Sequence, residues 1–170
     1  MRVFLAILVL ALLVVAVVAQ APKKEALDVN GFPFPPQVPK NKVLIVPADK
    51  VAVAQTRIPG KGTGLYNGGT FSASGLKRVD AEEGPVKHML KTEVYVMQGG
   101  SGMYTSGGTL VGPFEEHPGT PDAQFGKTIQ GGETKLVKAG DVVVIPPGVP
   151  HQFTKINQPV TYINVQFQAK

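Results

Sequence analysis

Gly140-Asp141-Val142-Val143-Val144-Ile145-Pro146-Pro147-Gly148-Val149-Pro150-His151 is the stretch on which the fold turns. Val142 to Ile145 are all β-branched, and such side chains sit well on a pleated surface while losing freedom in a helix. Asp141–Ile145 therefore reads as a short apolar strand. Pro146 and Pro147 supply no backbone N–H, so the ladder stops there. Gly148 and Pro150 complete a turn, and His151 opens the next extended run.

Outward from this stretch the chain repeats the same grammar. Downstream, His151–Lys155 and Val160–Phe167 read as strands. Upstream, Thr134–Lys138 is a strand, and so is Thr92–Gln98, ending at Gly99-Gly100. Ser101–Thr105 followed by Ser106-Gly107-Gly108 is a hairpin signal into Thr109–Val111. Thr70–Val79, Lys50–Ile58 and Lys42–Pro47 are further strand expectations, and 112–133 reads as one long loop. Residues 59–69 form a glycine-rich turn; it lacks the strand–loop–helix setting and the Gly-Lys-Ser/Thr of a phosphate cradle. No window carries a helix period. Many short strands with turn signals between them predict an all-β sandwich or barrel, in a single domain.

Composition narrows the chemistry. The 170 residues hold no cysteine, which excludes disulfides, cysteine-ligated zinc, iron–sulfur clusters and cysteine nucleophiles. At 43% hydrophobic the chain has the means to build a core. The net charge of +5 is spread along the chain and tryptophan is absent, a pattern that argues against nucleic acid as a partner. Arg2, the uncharged run Val3–Ala19 and the small residues Val17-Val18-Ala19 read as a signal peptide over 1–19. The expectation is a secreted protein, periplasmic if bacterial, with no membrane contact after cleavage. The alternative is a domain tethered by an uncleaved signal anchor. Pro22, Pro33, Pro35, Pro36 and Pro39 make 20–41 an extended arm, leaving 42–168 for the β domain.

Strand parity puts Glu93, Tyr95 and Met97 on one face of Thr92–Gln98. A glutamate among apolar neighbours is buried only when paired or bound to metal. His88, His117 and His151 are the only histidines.

At this point the sequence resembles a known family. Gly140, five residues, Pro146, one residue, Gly148, two residues and His151 fill every position of the second signature of the cupin superfamily. His88, four residues, Glu93, six residues and Gly100 match the latter part of the first signature. Val86 stands where that signature has its first histidine, so three ligand positions carry over. The resemblance implies a double-stranded β-helix, the jelly-roll cupin barrel. It implies one divalent transition metal (Fe, Mn, Zn, Ni or Cu) held by His88, Glu93 and His151. Two imidazoles and a carboxylate form a facial triad with positions open for substrate or dioxygen. A metal-dependent enzyme on a small organic substrate follows, by dioxygenation, isomerisation, decarboxylation or lyase chemistry, with Tyr95 or His117 moving a proton. Tyr104, Phe153, Tyr162, Asn164 and Gln166 are further pocket-lining expectations. The competing expectation is a non-catalytic cupin that binds, stores or forms matrix; sugar recognition on a jelly roll ranks last. Pairing of two copies through edge strands, a homodimer, fits either expectation.

Overall fold

The computed structural model describes residues 42–56, 62–112, 115–116 and 122–169. The apolar start 1–19, the proline-rich arm 20–41 and His117 lie outside these residues.

Two long strands organise the described chain. β4 (Lys91–Ser106) and β11 (His151–Gln168) run antiparallel along almost their whole length, Lys91 opposite Gln168 and Ser106 opposite His151. Each has a second neighbour that changes along the way. At one end, β10 (Val142–Ile145) lies against β4, with Ile145 opposite Glu93. There β2 (Phe71–Arg78) lies against β11, and β1 (Thr63–Asn67) against β2. At the other end, β9 (Glu133–Lys138) takes the β4 edge from Ser101 to Ser106, and β3 (Val86–His88) meets β11 at His151. β3 continues to β7 (Ala123–Phe125) and β6 (Glu115–Glu116). β5 (Thr109–Val111) and β8 (Thr128–Gln130) form a separate two-stranded sheet.

The strand parity holds. Glu93, Tyr95 and Met97 are buried, while Val96 and Gln98 on the other face are exposed. With Leu76, Tyr104, Val137, Ile145, Phe153, Val160 and Tyr162 the apolar members of that face form one continuous core. Burying a residue such as Phe153, which exposes nothing, contributes roughly 1.5–3 kcal/mol.

Several expectations are corrected. Lys42–Pro47 and Lys50–Ile58 form no strand among the described residues; Ala48–Thr56 is a helix, α1. Pro47 starts it, its carbonyl accepting from Lys50 and Val51 N–H at 3.0 and 3.1 Å. Alanines favour the helix, and they also let it settle on the sheet. A side chain at Gly75 would meet the Ala54 Cβ at 3.2 Å. The glycine-rich stretch 59–69 contains β1, so it is half of a hairpin rather than only a turn. The Ser106-Gly107-Gly108 turn does not fold β5 back on β4. Both edges of β4 are already taken there, by Thr134 and Gln152 on either side of Thr105, so β5 pairs with β8 instead. The long loop 112–133 holds the short strands β6, β7 and β8. Gly99-Gly100 does not end a strand, and His151–Lys155 and Val160–Phe167 are one strand with irregular register between them. Gly100 has φ +73°, and a Cβ there would lie 2.0 Å from the Pro159 carbonyl oxygen, so the chain bends without breaking.

Candidate metal centre

Backbone pairing gathers the three histidine and glutamate positions. Glu93 points inward from β4 and is almost fully buried, 2% exposed. His151, 1% exposed, begins β11 and lies opposite Val86 on β3. His88 ends β3 two residues further on. The turn after β10 is tied to it directly, Gly148 N–H donating to the His88 carbonyl at 2.7 Å. Gly148 makes that turn with φ +77°.

The side chains converge. His151 Nε2 stands 3.1 Å and His88 Nε2 3.8 Å from Glu93 Oε2. The two imidazole rings are 6.4 Å apart, centre to centre. Asn164 Nδ2 and Gln166 Nε2 both donate to Glu93 Oε1 at 2.9 Å, from the inner face of β11. Oε2 accepts no hydrogen bond among the described residues, despite the close approach of His151. On its far side His151 Nδ1 lies 3.0 Å from the Val149 carbonyl oxygen. A carbonyl only accepts, so Nδ1 carries a hydrogen, and Nε2 beside Glu93 is the nitrogen that holds the lone pair of the neutral ring or the second proton of the charged one. An anionic oxygen and imidazole lone pairs that face one another repel unless a proton or a metal ion lies between them. The two rings are separate, and no three acidic or imidazole groups among the described residues close on a metal-sized centre.

The electrostatics follow from these contacts. Burial pushes the Glu93 carboxyl up, but His151 and His88 beside it outweigh this and bring it down to about 2. Burial pushes His151 down, and the Glu93 carboxylate more than reverses that, so its pKa is raised. At His88 burial dominates the pull of Glu93 and Asp122, and its pKa is lowered.

Tyr95 lies in the core with its hydroxyl 3.4 Å from His151 Nε2. Burial first, then the neighbouring Tyr104 and Glu93, raise its pKa well above the ordinary phenol value, so it stays protonated. Tyr104 packs with its ring centre 6.2 Å from His151, and its hydroxyl has no hydrogen-bond partner among the described residues. Phe153 and Tyr162 are core residues; Tyr162 accepts from Arg78 Nε at 2.9 Å. A polar hollow of about 180 Å³ is lined by Thr70, Ser72, Lys91, Gln166 and Gln168 among others, and by none of His88, Glu93 and His151. Gln166 lines this hollow and also holds Glu93 through its amide. Asp122 was not foreseen: it contacts both His88 and Lys91, and it lies in a region with no motif.

Neither a comparison of the sequence with protein-family profiles nor one with characterised proteins finds a match. Solved structures do resemble the chain. A Klebsiella pneumoniae protein with a double-stranded β-helix domain matches with a TM-score of 0.51 at 13% identity, over 76% of this chain and 93% of that one. A Bacillus halodurans protein matches with a TM-score of 0.51 at 13% identity, over 77% and 85%. The hydroquinone 1,2-dioxygenase of a Sphingomonas species, with 4-hydroxybenzoate bound, matches with a TM-score of 0.51 at 12% identity, over 85% and 89%. At such identities the likeness is one of fold. The chain has a double-stranded β-helix, the fold of the cupin superfamily that its two motifs resemble.

Proposed function

We propose that this protein binds one divalent transition metal through His88, Glu93 and His151 and acts as a metal-dependent enzyme on a small organic molecule. One observation carries the reading: Glu93 Oε2 is a buried carboxylate oxygen that no well-aligned donor among the described residues satisfies, and two imidazole Nε2 atoms approach it. Nitrogen and oxygen donors of this kind suit iron, manganese, zinc, nickel or copper. Such an ion supplies Lewis acidity or an activated water.

The chain's own groups prepare that centre. Asn164 and Gln166 fix the Glu93 carboxylate by one oxygen and leave the other free. The Val149 carbonyl holds the His151 ring with Nε2 inward. The Tyr95 phenol, kept neutral by burial, can donate a hydrogen bond to a bound molecule beside His151. The arginine-led apolar start supports the further proposal that the protein is secreted.

The test is elemental analysis of the purified protein beside His151→Ala. Metal close to stoichiometric in the wild type and lost in the variant is the expected result. No metal in the wild type, even after reconstitution, overturns the reading. Val86, an apolar residue paired opposite His151 where a further ligand would stand, favours the second reading, a non-catalytic small-molecule binder. Under that reading chelators change neither ligand binding nor thermal stability.

A further inference from the structure

We infer that Asp122, fixed by Lys91, is a positioning residue: it holds the His88 imidazole in the tautomer and rotation that present Nε2 to Glu93. Asp122 Oδ2 lies 3.3 Å from His88 Nδ1, and Lys91 Nζ donates to the other oxygen, Oδ1, at 3.0 Å. A carboxylate only accepts, so His88 Nδ1 is the donor and the lone pair is left on Nε2. The carboxylate side chain is 9% exposed, and the two groups it joins are 11% and 19% exposed, so the three form one partly buried cluster. Lys91 Nζ occupies Oδ1 and offsets the charge of Asp122, leaving Oδ2 to His88.

Backbone register, not chance, brings Asp122 here. β3 pairs with β7 so that His88 lies opposite Ala123, and Met89 N–H donates to the Asp122 carbonyl at 2.9 Å. The stretch that looks like a plain loop thus delivers a carboxylate to the back of a candidate ligand. The arrangement mirrors that of His151, whose Nδ1 is held by the Val149 carbonyl. Both imidazoles are therefore clamped on the outer nitrogen, which orients a ligating ring and raises its basicity. With Val86 unable to contribute a donor, the centre depends on the alignment of the two imidazoles it has.

The consequence for metal affinity rests on the reading proposed above; the tautomer does not. Long-range ¹H–¹⁵N correlation spectra of the metal-free full-length protein, in mildly alkaline buffer where imidazole is neutral, read the tautomer directly. His88 is expected as the Nδ1–H form in the wild type. Asp122→Ala should move it toward Nε2–H and leave His151 as it was. Titration with cobalt(II) should then show binding weakened about 10- to 100-fold in the variant. An Nε2–H ring at His88 in the wild type overturns the inference without any variant, whatever the folding of Asp122→Ala. An unchanged tautomer in a folded Asp122→Ala overturns it as well. If the tautomers behave as stated and neither protein takes up cobalt, the positioning role stands and the metal-binding reading falls.

Discussion

Glu93 shows what one buried residue asks of its surroundings. Its carboxyl is held down to about 2 although burial alone would raise it, so the native state favours the ionised form. Since the folded pKa lies below the ordinary 4.5, this contribution is complete above pH 4.5 and is lost as the pH falls toward 2. The thermal midpoint of the metal-free protein should drop across that window. Glu93→Gln should flatten the slope, by an amount on the order of 3 kcal/mol at most; an identical slope in the variant would show that other carboxyls carry the acid limb. Asn164 is the second lever. It is buried and donates to Glu93 Oε1, so Asn164→Ala removes one of two donors from a carboxylate. A loss of about 1–3 kcal/mol in urea unfolding is expected.

At the scale of elements, the bend in β4 decides how the two halves of the barrel meet. Gly99-Gly100 stands between the segment paired with β10 and the segment paired with β9. Gly100 lies at φ +73° with the Pro159 carbonyl where a side chain would go. Gly100→Ala adds both backbone strain and a clash that rigid main chain cannot relieve. It should cost more than about 2 kcal/mol, measured by chemical denaturation, and should lower metal uptake by shifting Glu93 against His151. An equally large loss at Gly140, where φ is +89° and nothing lies within 4 Å, would argue that backbone strain alone is responsible. α1 illustrates the opposite case. Its position rests on Gly75, where the sheet surface is low enough to receive Ala54 and Gln55.

For the whole molecule, β4 and β11 matter because each runs through both halves. Neither half can lose its pairing without exposing the core cluster they share. Loss of secondary structure in the far ultraviolet and of tyrosine packing in the near ultraviolet should therefore coincide in one thermal transition. Two separated transitions would mean that the β5–β8 sheet or α1 melts by itself. A metal bound at His88, Glu93 and His151 would join β3, β4 and β11, and ligands that bind the native state stabilise it by mass action. Stripping the metal-loaded protein with a chelator should lower its midpoint, and adding the ion back should restore it.

The sequence by itself determined the fold class and the inward-facing residues. β-branched runs, proline and glycine stops and the period of two are local properties, legible without partners. The spacing of Gly140, Pro146, Gly148 and His151 likewise specifies a local strand, turn and strand. Tertiary structure decided the rest, because pairing choices depend on which edges are free. It sent β5 to β8, since β4 had no edge left, and turned Ala48–Thr56 into a helix where a strand was expected. It also set Asn164 and Gln166 against one oxygen of Glu93. Asp122 and Lys91, 31 residues apart, meet behind His88 because β3 pairs with β7 in one register. No local signal marks that meeting, for hydrogen bonds between distant side chains are set by register and not by composition.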